Sequence, residues 1–134
     1  MTATVDVRAA GRFDVTPSPQ PAGGTPFART LIAKRFHGEL DATGEVEMLS
    51  ARTAVAGSAA YVALERVEGT LCGRAGSFLL QHSGTMDRGR PALAITVVPD
   101  SGTGQLEGLA GSMAIDIAGG EHHYRFTGTL PAAA

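Results

Sequence analysis

The chain is poor in several features that would mark a common class of protein. Its 134 residues include one cysteine, Cys72, which excludes an intramolecular disulfide and any metal or redox motif built from several cysteines. No apolar run is long enough to span a bilayer, and the first residues lack a basic stretch followed by an apolar one. We therefore expect a cytoplasmic protein that neither enters a membrane nor carries a secretion signal.

The chain also lacks a large excess of charge of either sign. The net charge is −2, with 11 basic residues against 13 acidic ones and no block of like charge. This balance argues against nucleic acid or an anionic membrane surface as the main partner. Because 43% of the residues are apolar and 18% are charged, the chain is expected to fold. Its length predicts a single domain spanning residues 1–134.

Glycine, by contrast, is abundant. The 18 glycines are spread along the chain and divide it into segments of strand length, several of them rich in β-favouring residues. The proline-rich stretch 16–26 is predicted to be a loop, and residues 131–134 a frayed tail. The predicted strands are Ala9–Val15, Ala28–Leu40, Gly44–Val55, Ala59–Leu71, Ala75–Met86, Ala92–Val98, Ser112–Ile117 and His122–Leu130.

Eight strands joined by short turns, one of them placed at Asp41–Gly44, predict a meander that closes into a barrel or splits into a sandwich. We favour an all-β, eight-stranded antiparallel barrel, since closure removes exposed edges and leaves a lumen for one small ligand. One alternative stays open. Segments Glu45–Ala56 and Ser58–Glu68 contain good helix formers, and Ser58 could cap a helix.

Three stretches carry a family resemblance: Leu64–Thr85 (LERVEGTLCGRAGSFLLQHSGT), Val97–Gly111 (VVPDSGTGQLEGLAG) and Phe36–Leu40 (FHGEL). Together they resemble a family of short bacterial proteins known only as a domain of unknown function. Its members are similar in fold to allene oxide cyclase and plant dirigent proteins. The resemblance implies a small antiparallel barrel with an apolar lumen, often oligomeric, and hence a dimer or trimer. It says little about chemistry, since one fold hosts many functions.

A turn centred on Cys72-Gly73 predicts that Glu65 faces Leu80 across a hairpin. Glu65 and His82 are then diagonal neighbours on a mostly apolar face that we expect to point into the barrel. A carboxylate beside an imidazole suits general acid–base catalysis. The structural alternative is a buried polar pair that fixes strand register.

Other residues of the hairpin and of the strand before it complete the candidate site. Tyr61 could supply a phenolic donor as a third catalytic group, or be a core aromatic with its hydroxyl in water. Glu47 is a candidate ligand contact whose face depends on the residue count of the turn at Ala56–Ser58. The remaining predicted ligand contacts are apolar: Ala63, Val67, Phe78 and Leu80.

Several apparent motifs do not predict a metal or cofactor site. His122 and His123 are adjacent on a strand and point to opposite faces, so both cannot easily bind one ion. Gly102–Gly108 has the wrong spacing for a dinucleotide fingerprint. A short turn or 3₁₀ connection, with Leu106 and Leu109 closing a barrel end, explains it better. Lys34, the only lysine, is expected to be solvated.

Two functions follow as hypotheses. The first is a cofactor-independent cyclase or isomerase that acts on a hydrophobic small molecule in the lumen. The alternative is a protein that binds such a molecule without converting it. Both use the same apolar inner face, and they differ in whether Glu65 and His82 move a proton.

Overall fold

The computed structural model describes residues 3–132 and shows a closed antiparallel barrel in which each strand pairs with the next and β8 pairs with β1. The predicted barrel is therefore confirmed, and the helical alternative for residues 45–68 is wrong. No helix in the described part of the chain is long and apolar enough to cross a membrane. The strands are β1 (Thr4–Pro19), β2 (Ala28–Gly38), β3 (Leu40–Arg52), β4 (Ala59–Leu71), β5 (Arg74–Asp87), β6 (Arg90–Val97), β7 (Ala110–Ala118) and β8 (Glu121–Pro131).

β1 continues beyond its predicted end and includes two prolines, Pro17 and Pro19. The stretch predicted as a loop from residue 16 pairs with β2 as far as Pro19, opposite Thr30. β8 has already left β1 at Phe13, so this part of β1 is an edge. The Gln20 N–H donates a hydrogen bond to the Arg29 carbonyl on β2. Because hydrogen-bonded positions alternate along an antiparallel strand, the backbone groups of residues 17 and 19 point away from β2. Proline is tolerated there because no hydrogen bond is lost.

The turn predicted at Asp41–Gly44 lies elsewhere. Gly38 has a φ of 105°, a conformation that favours glycine, and the chain reverses between Gly38 and Leu40. Gly44 is inside β3, opposite Val67. At the other end of the chain, Pro131 belongs to β8, while residues 133 and 134 of the predicted tail lie outside the described residues.

One end of the barrel is closed and packed. A 3₁₀ turn at Gly104–Leu106 buries Leu106, and Leu109 is buried just after it, which confirms the predicted plug. Thr103 ties the segment to β5 through Ser77. The core beneath the plug consists of inward-facing side chains, the largest being Tyr124, Phe36, Phe78, Phe126, Leu40, Leu71 and Leu80.

The opposite end of the barrel is open. At this end, the inward-facing side chains of neighbouring strands lie next to one another and are only partly buried. Met86, Leu93 and Ile117 are exposed although they occupy inward positions. Solvent therefore reaches the inward side chains at this end, and several of them are apolar.

Tyr124 fastens the turn between β2 and β3 to β8. Its hydroxyl accepts a hydrogen bond from the Leu40 N–H at 3.0 Å and donates to the His37 carbonyl at 2.8 Å. Burial raises the pKa of the Tyr124 phenol above its ordinary value of 10.0. The neutral phenol is thus the form that the folded barrel holds.

We predict that Tyr124→Phe lowers the free energy of unfolding by about 1–3 kcal/mol near neutral pH, because the buried Leu40 N–H loses its acceptor. The phenol's pKa is raised on folding, so its contribution is complete below the unfolded pKa and falls as the pH rises through 10 toward the folded value. Urea unfolding of both proteins measures the difference. A gap that is absent at neutral pH, or that widens in alkali, would contradict this account.

Candidate lumenal site

The β4–β5 hairpin brings Glu65 and His82 together inside the barrel. Glu65 pairs with Leu80 and His82 with Ala63, so the two are diagonal neighbours on the inner face, as the sequence predicted. His82 Nε2 lies 2.8 Å from Glu65 Oε1. Glu65 is 1% exposed and His82 4%, and they are the buried polar residues of the described chain. Such burial costs free energy unless the groups are paired.

Lys34 joins this pair from β2. Its Nζ lies 3.2 Å from Glu65 Oε1, and its side chain is only 7% exposed. The ammonium also sits 5.1 Å from the ring centre of Phe13 and 5.8 Å from that of Phe36, a cation–π arrangement. The expectation that this lysine is solvated is wrong. Ile32, Lys34 and Phe36 alternate with outward residues, and that period of two was the signal in the sequence.

Gly44 leaves the space that the Glu65 carboxylate fills. A Cβ at residue 44 would overlap Glu65 Oε2 and would lie 3.1 Å from a ring carbon of Phe36. Oε2 is the one fully buried side-chain polar atom in residues 3–132 without a hydrogen-bond partner. The carboxylate therefore rests against the β3 backbone with one oxygen and accepts both hydrogen bonds with the other.

This arrangement fixes the roles of the two His82 nitrogens. A carboxylate can only accept hydrogen bonds, and Glu65 Oε1 is the acceptor for both neighbours. His82 therefore carries a proton on Nε2 and donates it to Oε1. Nδ1 bonds to no residue in the described part of the chain, yet it is not among the fully buried atoms without a partner. In this tautomer Nδ1 is the unprotonated nitrogen, which can accept a proton from a ligand that reaches it.

Tyr61 lies above the cluster, toward the open end. It is half-buried, and its ring packs on Gly84, where a Cβ would overlap it. Burial, with a smaller contribution from the charge of Glu65, raises the pKa of the Tyr61 phenol. Its hydroxyl has no hydrogen-bond partner in residues 3–132 and remains available as a donor.

The structure separates the predicted ligand contacts into three groups. Ala63 is buried on the inner face beside His82. Val67, Phe78 and Leu80 share that face but belong to the packed core at the closed end. Glu47 pairs with Leu64 and faces outward, where it forms an ion pair with Arg29 at 2.7 Å, so the structure does not bring it to the lumen.

A groove of about 1180 Å³ lies on the other side of the wall. Most of its lining residues point outward from β2–β5, and the others, which include Ala63, Glu65 and His82, belong to strand positions of the inner face. Its apolar part, here termed the outer apolar face, comprises Leu31, Leu49, Val62, Leu64 and Leu79. Leu64 at its centre is 58% exposed. The molecule thus offers two apolar surfaces, and only the lumen contains buried charge.

No group of three His, Cys, Asp or Glu residues in the described chain is placed to hold a metal ion. His122 points inward, and the centre of its ring lies 5.2 Å from that of Phe13 in a tilted arrangement. His123 is on the outer side, with Nε2 3.8 Å from Glu121. Cys72 occupies its turn with a φ of 51° and is exposed.

We predict that Gly44→Ala destabilises the barrel by about 1–3 kcal/mol, because the new methyl group competes with the buried carboxylate. Gly23→Ala is the matched control, since a Cβ there meets nothing within 4 Å. Thermal unfolding measures both. The cost of Gly44→Ala should shrink in a Glu65→Ala background, where the carboxylate is absent. An equal cost in both backgrounds would place the strain elsewhere.

Comparison with known proteins identifies relatives of this barrel. The family described as "Protein of unknown function (DUF3224)" matches residues 8–127. A crystal structure of a protein with unknown function from that family, from Shewanella oneidensis MR-1, is 46% identical in sequence and has a TM-score of 0.88. The match covers 96% of this chain and 100% of that one. No curated protein matches the chain.

Proposed function

The chain belongs to the DUF3224 family, and we propose that it is a cofactor-independent enzyme of the isomerase or cyclase type that acts on a hydrophobic small molecule in the barrel lumen. One observation carries the proposal. Lys34, Glu65 and His82 form a buried, hydrogen-bonded cluster at the floor of an apolar lumen that opens at one end.

The energetic cost of the cluster supports a role in chemistry. Removing a carboxylate and an ammonium from water costs several kcal/mol for each ion, and their attraction repays this only in part. Apolar residues of similar volume would pack the same space at lower cost. A cluster of charged groups in a cleft is typical of sites that move protons.

The geometry divides the work among the three groups. Glu65 holds His82 in one tautomer through Nε2, and Nδ1 is the base that faces the lumen. Lys34 supplies positive charge where negative charge develops on the substrate. The apolar wall near the open end folds the substrate into a reactive shape and excludes water. Each group returns to its starting state after one turnover, so no cofactor is consumed.

We predict that Ala63→Phe abolishes ligand binding in the lumen, because the added ring projects over His82. The neutral, apolar fluorophore 1-aminoanthracene serves as the probe, and its affinity should fall at least tenfold. Ala60→Phe on the outer face of the same strand is the matched control and should bind as the wild type does. Where the phenyl ring prevents folding, Ala63→Leu takes its place.

Native mass spectrometry of protein taken from its own source complements this test, since a bound apolar molecule would name the substrate or product class. If the probe binds equally to Ala63→Phe and is lost from Ala60→Phe, the ligand site is the outer groove and the lumenal proposal fails. Binding in the lumen with turnover that survives both Glu65→Gln and His82→Ala would exclude the catalytic roles. A ligand that is held and never converted would favour the binding function instead.

We also propose that the outer apolar face pairs with a second copy of this chain in the cytoplasm. Arg29, Glu45, Glu47 and Arg66 border or interrupt the face and balance one another in charge. A second copy presents the same balanced set, so opposite charges can meet across a symmetric contact. A partner of one dominant charge would find no such complement.

We predict that Leu64→Asp converts an oligomer to a monomer without loss of fold, because Leu64 is exposed in the single chain. Val55→Asp, an exposed apolar residue in the loop between β3 and β4, is the control and should leave assembly unchanged. Sedimentation velocity distinguishes monomer, dimer and trimer. A wild type that is monomeric at high concentration, or a Leu64→Asp variant that stays assembled, would refute the interface.

A further inference from the structure

The cluster leaves one donor and one acceptor free for a ligand. Lys34 has three N–H groups, and among residues 3–132 its Nζ donates only to Glu65 Oε1. His82 Nδ1 has no partner in the same part of the chain. Lys34 Nζ and His82 Nε2 bond the same carboxylate oxygen, and Nδ1 is on the far edge of the imidazole ring. A ligand that uses both the free donor and the free base must therefore extend past that ring edge.

The charge of the cluster limits what that group can be. The Lys34 ammonium and the Glu65 carboxylate balance in charge, and the proposal uses His82 as the neutral tautomer that donates from Nε2. A ligand carboxylate would place a second negative charge beside Glu65, and the single ammonium of Lys34 would have to compensate both charges. Like charges this close in a low-dielectric interior repel strongly. A neutral oxygen acceptor avoids this cost and still uses the Lys34 donor.

We propose that the substrate is a neutral, apolar carbonyl compound with a carbon–carbon double bond at the β,γ position, and that the reaction is migration of that bond into conjugation. This inference rests on the proposed lumenal function and names its substrate class. The carbonyl oxygen accepts a hydrogen bond from Lys34 Nζ, and the α carbon lies against His82 Nδ1. The hydrocarbon part occupies the apolar, open half of the lumen.

The steps balance without a further reactant. His82 Nδ1 takes the proton from the α carbon, and that electron pair forms a double bond to the carbonyl carbon while the carbonyl electrons move to oxygen. Lys34 stabilises the resulting dienolate, and Glu65 stabilises the imidazolium. The dienolate then collapses, and its γ carbon takes the proton back from Nδ1. One C–H bond has broken, another has formed, and the substrate is isomerised.

The first experiment measures recognition with three ten-carbon probes: the methyl ketone, the alkane and the fatty acid anion. Each competes with 1-aminoanthracene for the lumen of the whole protein. We expect the ketone to bind at least about tenfold more tightly than the alkane, and the fatty acid anion to bind more weakly than the ketone. Lys34→Met should remove the preference for the ketone and keep the binding of the alkane.

Lys34→Met leaves Glu65 without its cation and can impair folding. The double variant Lys34→Met with Glu65→Gln removes both charges and keeps the test open. It should bind the ketone and the alkane equally. Ala60→Phe, on the outer face, should retain the wild-type order of affinities.

The second experiment measures the reaction with the β,γ-unsaturated form of the ten-carbon methyl ketone. Formation of the conjugated product is followed by its ultraviolet absorbance, and deuterium from solvent is located by mass spectrometry. We expect turnover in wild type and Ala60→Phe, and a loss of at least a hundredfold in His82→Gln and in the Lys34→Met, Glu65→Gln double variant.

The outcomes separate this inference from the function on which it rests. Tightest binding of the fatty acid anion would overturn the neutral carbonyl and leave the lumenal site standing. Ketone binding without isomerisation in the wild type would overturn the reaction. Probe binding with the same affinity in Ala63→Phe as in the wild type would overturn the lumenal site itself, and this inference with it.

Discussion

The burial of a single carboxylate constrains this barrel more than any other interaction. Glu65 on β4 is excluded from water, and it needs Lys34 from β2, His82 from β5 and the missing side chain of Gly44 on β3. These residues lie on four consecutive strands. A slip of one residue in any pairing would turn one of them outward and leave the carboxylate uncompensated. Site and strand register therefore specify each other.

The parts of the site that the sequence predicts depend on how well each turn is marked. Cys72-Gly73 is a short turn, so the pairing of β4 with β5, and with it the proximity of Glu65 and His82, follows from counting residues. The turn between β2 and β3 is poorly marked because Gly38 and Gly44 are both candidates. Gly44 belongs to a strand, and the Glu65 carboxylate fills the space that a side chain at residue 44 would need. This contact joins residues far apart in the sequence, so no local pattern predicts it. The alternation of Ile32, Lys34 and Phe36 marks the inward position of Lys34, but its partner Glu65 is on a distant strand that this local pattern does not identify.

The barrel separates stability from ligand access along its axis. At the closed end, the plug with Leu106 and the aromatic core bury most of the large apolar side chains, which supplies the main driving force for folding. At the open end, Leu93 and Ile117 occupy inward positions and remain exposed. The sequence predicts the plug because the glycine spacing of residues 102–108 does not fit a dinucleotide fingerprint, which leaves a short turn or 3₁₀ connection with Leu106 and Leu109. It does not predict the open end, since strand residues that are inward and uncovered have the same pattern as core residues.

Charge distinguishes the two apolar surfaces in a way that area alone does not. The charges around the outer apolar face, such as Arg29 and Glu47, are in contact with water and contribute little to stability. They can exchange partners at little cost, which suits contact with another protein. Lys34 and Glu65 have no water to replace a lost partner. A ligand oxygen that enters the lumen therefore interacts with an ammonium that water does not screen, and that difference in dielectric environment is why we propose association at the outer face and chemistry in the lumen.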